Sequence, residues 1–374
     1  MRTVLMFVLV LVLAACGGGA PSPVGDAAAE PAGWRPLPDA PLSARTRAHA
    51  FWTGSMVLVV GGTDDDRCPP NADCVPSEEP PLADGAAYDP QADRWTALPD
   101  APVPLGELSG AVLDGTLYVW VYGSEQAPGV RPAFLSLTPG DGAWRELMAP
   151  AADQIALLHL AAADDQLIAY HGSQELGVQP DLAYDPTEDE WTGLPVDPLA
   201  PTFDRSVVWT DAGLVAIGIG VVPQPNSAEP ALYSAARLDD ERGEWDRLPD
   251  SGIVGWSPSW SWTADRLVNA SIGRSDGGET NNWGRAYPHG GTLDPVTGTW
   301  GRLPAPPAAQ GAYTGIDAAG EEWVVSIDGW ALHVRSGIWV ELTAPAGAPF
   351  QPAATWAGDR LFVWGGMTAE GELL

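Results

Sequence analysis

Eight side chains of this chain have the types needed to hold a ligand: Arg45, Arg47, His49, Asp204, Arg205, Trp256, Trp260 and Trp262. A guanidinium offers a planar fork of donors that fits a carboxylate at two points. A carboxylate accepts from sugar hydroxyls, and an indole face can stack on a sugar ring. Arg45, His49, Asp204 and Glu279 also supply the acid and base groups that a proton-transfer reaction would require. Each has a plainer role open to it. The arginines and His49 can pair with neighbouring elements, and three alternating tryptophans can be core. No spacing fixes a catalytic set, and neither a serine-triad nor a phosphate-cradling motif is present. The acidic runs Asp64-Asp65-Asp66 and Asp164-Asp165 lack the spaced ligands of a calcium loop and read as turns. No cofactor and no metal are expected.

Those residues must be carried by a repeated unit. Trp34, Trp95, Trp144, Trp191, Trp245, Trp300 and Trp339 are each followed three residues later by a leucine, namely Leu37, Leu98, Leu147, Leu194, Leu248, Leu303 and Leu342. Their intervals of about 40 to 60 residues suit a blade of four short strands, a unit that cannot bury both of its faces alone. The tryptophans themselves read as packing between twisted sheets.

A second series sets the register. Short apolar runs begin at Val57, Leu117, Leu167, Leu214, Leu267, Trp323 and Leu361, several just after a turn signal such as Asp114-Gly115 or Gly358-Asp359. Two of them end in paired glycines, Gly61-Gly62 and Gly365-Gly366, where a missing Cβ permits close backbone approach. A third element, Tyr88-Asp89-Pro90, Tyr184-Asp185-Pro186 and Leu293-Asp294-Pro295, places an Asp-Pro turn six residues ahead of the tryptophan. Double glycine, aromatic-Asp-Pro and a following tryptophan together resemble the Kelch repeat over roughly Trp34 to Gly366. Single glycines at Gly123, Gly172 and Gly273 depart from that pattern, and Ser326-Ile327-Asp328-Gly329 compresses one unit to a hairpin.

The resemblance implies an all-β, seven-bladed Kelch-type β-propeller whose last blade is closed by the N-terminal strand. Trp34 precedes the first glycine-ended strand while no tryptophan follows the last, so neither end completes a blade by itself. Proteins of this family are mostly binding scaffolds with a minority of enzymes, so the fold alone assigns no site. The copper-radical oxidases among them, with a galactose-oxidase-like central domain, require a cysteine linked to a tyrosine. Here Cys68 and Cys74 lie six apart in a polar loop, and His49, His159, His171, His289 and His333 are scattered, although His159 and His171 flank one hairpin and could meet. A mutarotase- or epimerase-like activity would use Arg45, His49, Asp204 or Glu279 at the ring mouth.

Arg2, the apolar run Val4 to Leu13 and Leu13-Ala14-Ala15-Cys16 resemble a bacterial lipoprotein signal peptide over residues 1–15 with a lipobox. The resemblance implies cleavage before Cys16 and acylation of its thiol with palmitate-like chains, each buried CH₂ adding about 0.8 kcal/mol of anchoring. Residues 16–33, rich in Gly, Pro and Ala, would be a flexible tether, and residues 34–374 the propeller. Export would permit a Cys68–Cys74 disulfide, against the alternative of a zinc site with too few ligands. A thiol titration of the native protein should then find neither cysteine free.

A net charge of -31, with all eighteen basic residues arginine, disfavours nucleic acid and anionic lipid headgroups. The reading is of a monomer held on the extracytoplasmic side of a bacterial envelope membrane by its lipid. It would bind a protein or glycan of the envelope on the face carrying the insertions Thr63 to Asp84, Gly220 to Pro230 and Gly273 to His289. A carbohydrate-active enzyme, mutarotase-like or oxidase-like, using that same face is the alternative.

Overall fold

The structure is a computed structural model that describes residues 7–10, 32–65, 79–123, 130–150, 158–175, 177–221, 231–255, 259–270, 290–304, 318–327, 329–343 and 349–374. Every regular element among the described residues is a β-strand. Six four-stranded antiparallel blades are each built from consecutive strands. Blade one holds β3 (His49–Trp52), β4 (Val57–Val60), β5 (Gly85–Asp89) and β6 (Arg94–Ala97). Blade two holds β7 (Leu108–Leu113), β8 (Thr116–Val121), β9 (Ala133–Leu137) and β10 (Arg145–Glu146). Blade three holds β11 (Leu158–Ala163), β12 (Gln166–His171), β13 (Leu182–Asp185) and β14 (Glu190–Gly193). Blade four holds β15 (Thr202–Thr210), β16 (Gly213–Gly220), β17 (Tyr233–Asp239) and β18 (Glu244–Arg247). Blade five holds β19 (Ser261–Thr263), β20 (Arg266–Ala270), β21 (Gly290–Asp294) and β22 (Thr299–Arg302). Blade six holds β23 (Ala318–Ala319), β24 (Trp323–Ser326), β25 (Trp330–His333) and β26 (Ile338–Glu341).

The expectation of seven blades, the last closed by the N-terminal strand, is met in part: the count of blades is corrected to six contiguous ones, and the remaining sheet is a composite of both chain ends. It runs β27 (Ala353–Ala357), β28 (Arg360–Trp364), β1 (Phe7–Val10) and β2 (Ala32–Pro36). The physical reason lies in the phase of the repeats. The C-terminal segment brings the two inner strands and the N-terminal segment the two outer ones, so the sheet forms only when both meet.

Each blade is sandwiched between two others, and its second strand is therefore apolar on both faces. Along β4, Val57 and Val59 face the composite sheet while Leu58 and Val60 face blade two. The alternation is that of any strand, here with a core on either side.

The paired glycines have a structural reason. Gly62 N donates to Leu105 O of the connection into blade two (3.1 Å), and Gly366 N donates to Arg45 O of the connection into blade one (2.8 Å). A Cβ on Gly61 would stand 2.0 Å from Leu105 O, and one on Gly365, whose φ is +67°, would stand 2.8 Å from Arg45 O. Only glycine lets the neighbouring backbone approach so closely in the left-handed region. Gly365→Ala is expected to lower stability by about 1–2 kcal/mol, measured by urea denaturation, against no change for alanine at Gly33, where nothing lies within 4 Å.

The recurring tryptophans are more than packing. Trp95, Trp144, Trp191, Trp245, Trp300 and Trp339 donate through Nε1 to the carbonyls of Pro38, Pro99, Met148, Pro195, Pro249 and Pro304, at 2.7–3.0 Å. In each case the acceptor directly follows the leucine of the preceding unit. Trp34 completes the cycle by donating to Thr343 O, which follows Leu342. One residue type at one offset thus staples every unit to the one before it, each bond contributing about 1 kcal/mol net. The aspartates of the Asp-Pro turns behave as the sequence suggests: Asp89 Oδ1 accepts from Gln91 N and Ala92 N (both 2.9 Å), and Asp294 Oδ1 from Val296 N (2.9 Å).

Candidate functional site at the loop face

Strand alternation places two sets of loops on one face: those joining second to third strands, and the connections from one blade to the next. The long insertions fall on this face, although residues 66–78, 222–230 and 271–289 lie outside the described residues. So do Cys16, Cys68, Cys74, Trp256, Glu279 and His289. Among the described residues, five of the large apolar side chains left exposed, Met148, Val178, Val196, Val221 and Phe350, lie in second-to-third-strand loops or blade connections, Met148 reaching the turn before β14 through Asp189. Of the other two exposed among the described residues, Val296 lies in a turn of the opposite face and Ile338 opens strand β26.

Arg45 and Arg205 turn away from this surface. Arg45 is 1% exposed; its Nη1 and Nη2 donate to the two Asp84 oxygens (2.6 and 3.0 Å), and it also bonds Ser43 Oγ and Gly61 O. Its guanidinium lies 6.0 Å from the Trp364 ring centroid. A β-bulge drives Arg205 inward. Phe203 pairs with Ile219 and Ser206 with Ile217, so Asp204 and Arg205 together oppose Gly218 alone. A Cβ on Gly218 would stand 2.9 Å from Thr202 Cβ and 3.0 Å from Arg205 Cγ, so glycine makes room for the bulge. Arg205 Nη1 donates to His171 O (2.6 Å), and Nη2 donates to Asp181 Oδ2 (2.8 Å) and Asp197 Oδ2 (2.6 Å). Burial works to raise the Asp181 carboxyl, but its donors outweigh that and hold it below the usual range. The lowering comes from the His171 ring, 3.6 Å away, from the Arg205 guanidinium and from His171 N. Both arginines, expected as ligand contacts, are committed to internal ion pairs that join loops to blades.

The same bulge presents Asp204. Its φ is +46°, it is half-buried, and no described residue donates a hydrogen bond to its carboxylate. Burial, and then the charge of Glu175, push that carboxyl above the ordinary aspartate range. Because the folded-state value is raised, the ionised form is disfavoured by the fold. Stability is therefore full below the unfolded value, near ~3.9, and is lost as pH rises through the folded one. Asp204→Asn is expected to raise the melting temperature at pH 7 and to leave it unchanged near pH 3.5. An equal gain at both pH values would show that charge is not the cause.

Arg47 remains at the surface and His49 is partly buried. Arg47 takes a left-handed φ of +55° and meets its counterpart Gln351, at +52°, donating from N to Gln351 O and from Nε to Gln351 Oε1 (both 3.1 Å). His49 Nε2 lies 2.7 Å from Gly106 O, which can only accept, so that nitrogen carries the proton. Burial lowers its pKa despite that bond, favouring the neutral ring.

The aromatic candidates separate. Trp260 is buried at the junction of blades four and five, edge-on to Tyr233 (5.0 Å) and Trp300 (5.8 Å), and Trp262 packs partly buried against the same cluster. His159 and His171, which flank one hairpin, do not meet: His159 pairs with Tyr170 and His171 with Leu158, which sends the two rings to opposite faces of the sheet. Sequence reasoning missed Glu175, Asp181, Asp197 and Gln351. The arginine partners of Asp181, Asp197 and Gln351 are 8 to 304 residues away, and no local pattern announces such pairings. Neither ring nitrogen of buried His171 has a hydrogen-bond partner among the described residues, and buried Gln174 Oε1 and Thr202 Oγ1 beside it share that condition.

No family model matches this chain, and no curated protein matches it. Among solved structures, that of YjhT aligns at 15% identity over 90% of this chain and 94% of that one, with a TM-score of 0.49. That likeness transfers no residue role.

Proposed function

We propose that this protein is a Kelch-type scaffold, a ring of seven sheets closed by the Trp34 strand, that binds a protein or glycan of the cell envelope on its loop face. The carrying observation is the asymmetry of that face. Among the described residues it holds most of the exposed large apolar side chains together with Asp204, whose φ is left-handed and whose carboxylate has no described partner. Exposed apolar groups beside unpaired charge are what an interaction surface presents before its partner arrives. Arg47 is the exposed member of the predicted set and His49, Asp204 and Trp262 are partly exposed, while Arg45 and Arg205 hold the loops that display them. Pull-down from envelope extract should recover a partner with the native protein and lose it with Val178→Asp combined with Val196→Asp. Recovery by the double variant at native level would sink this assignment of the face.

A second reading rests on Asp204 itself. A carboxyl raised by burial beside Glu175 is suited to deliver a proton to a sugar ring oxygen, as a mutarotase- or epimerase-like enzyme requires. Anomeric exchange of candidate sugars followed by NMR, abolished in Asp204→Asn, would favour it over plain binding.

The lipobox reading puts the scaffold on the extracytoplasmic side of a membrane, anchored through Cys16 and standing off on residues 16–33, with Cys68 and Cys74 joined in the insertion of blade one. The support is the order of residue types: an apolar run, small residues, cysteine and then a proline- and glycine-rich segment. Globomycin treatment of cells should accumulate an unprocessed precursor.

A further inference from the structure

The apolar run assigned to the leader has a place in the ring. Strand β1 lies between β28 and β2 and is antiparallel to both: Phe7 faces Val363 and Pro36, Val8 faces Phe362 and Arg35, and Leu9 faces Leu361 and Trp34. One strand therefore completes the backbone pairing of two others. The same residues would leave the protein if it were cleaved before Cys16, so that cleavage and this strand are mutually exclusive.

Removing β1 leaves β28 and β2 parallel to one another and two strand spacings apart, about 9.5 Å. For β2 to close that gap it would have to give up its ties on both sides. Trp34 is bonded to Thr343 O beyond blade six, Arg35 Nη1 to Asp93 (3.0 Å) and Nη2 to Tyr88 Oη (3.1 Å) of blade one, and Leu37 is buried in the adjoining core. Residues 17–31 make a poor replacement, since they contain Pro21, Pro23 and Pro31 and a single larger apolar residue, Val24. The third strands of other blades define what fits. Residues Gly85 to Tyr88 of β5, all of β9 and Leu182 to Tyr184 of β13 are buried, with apolar cores on both faces.

We infer that the form processed before Cys16 is a strand acceptor: the composite sheet takes an extended apolar segment of a partner polypeptide, antiparallel to β28 and β2, in the place of Phe7–Val10. Main-chain bonds along two exposed edges supply the affinity, and the flanking cores select for apolar side chains. This surface is separate from the loop face, and the inference rests on the lipobox reading.

The test compares the full chain with one starting at residue 16 and carrying Cys16→Ser. The shorter chain should melt roughly 5–10 °C lower. A lysine-flanked peptide of residues 5–12 should restore the difference in a saturable titration, and the same peptide with Leu9→Pro, lacking an N–H donor, should not. Should the shorter chain fail to fold, a full chain with a protease site set at residue 15 can be folded first and nicked afterwards, and exchange of labelled peptide into the nicked protein read instead. Equal melting temperatures with no peptide uptake would overturn the inference. Intact mass of the protein isolated from membranes separates the two readings. A retained residue 1 overturns the processed form and the anchor together, whereas a processed mass without peptide uptake overturns the acceptor alone.

Discussion

Arg205→Ala is expected to destabilise the protein by about 3–5 kcal/mol, lowering its melting temperature by about 5–10 °C. Among the described residues Arg205 is the only arginine bonding Asp181 and Asp197, and both carboxylates are buried with it. Removing the guanidinium leaves two negative charges facing one another without a counter-ion, along with an orphaned His171 carbonyl. Most of the loss is that penalty rather than the worth of the pair. Arg205→Met combined with Asp181→Asn and Asp197→Asn should therefore recover much of it, because an uncharged cluster carries little desolvation cost. A single variant as stable as the native protein, measured by calorimetry at pH 7, would refute the structural role given to Arg205. Because the cluster braces the bulge that presents Asp204, the single variant should also weaken any binding at the loop face.

Trp34→Ala should cost about 3 kcal/mol, since it removes both an apolar wedge beside Leu361 and Val363 and the indole donor to Thr343 O. Trp34→Phe separates the two, keeping most of the apolar area and losing only the bond, and is expected to cost about 1 kcal/mol. Deleting Gly33 to Asp39 removes in addition Arg35 with its bonds to Asp93 and Tyr88, buried Leu37, and the Pro38 carbonyl that receives Trp95. That deletion should exceed either point change and unfold the ring at lower denaturant concentration. An unchanged midpoint for the deletion would show that the two chain ends do not latch.

The local rules of the strand were legible from residue types alone. Alternating and continuous apolar runs, Asp-Pro turns and the recurrence of Trp-x-x-Leu depend on neighbours within a few residues, and the seven apolar runs begin in or beside β4, β8, β12, β16, β20, β24 and β28. The phase of the repeats, with Trp34 leading and no tryptophan after the strand ending at Trp364, implies a sheet shared between the ends. The purpose of the Trp series was half legible: packing followed from its type, whereas its role as a staple required the carbonyl of the preceding unit to be in view.

The site was legible only as a list of chemically able residues. Arg45 and Arg47 are two apart in sequence, yet one is buried on Asp84 and the other stands exposed against Gln351. Asp204 and Arg205 are adjacent, yet a one-residue bulge opposite Gly218 sends the arginine into a buried ion cluster and leaves the aspartate at the mouth. A charge's use is settled by the partner that reaches it, and those partners come from other loops and other blades. What the amino-acid order determined by itself was the repeating unit, its strands and its turns, because these are short-range sterics and periodic burial. Which arginine is structural, which carboxylate is left unpaired, and that an N-terminal apolar run can serve as a strand were decided by the closing of the ring, which alone brings residues hundreds of positions apart within bonding distance.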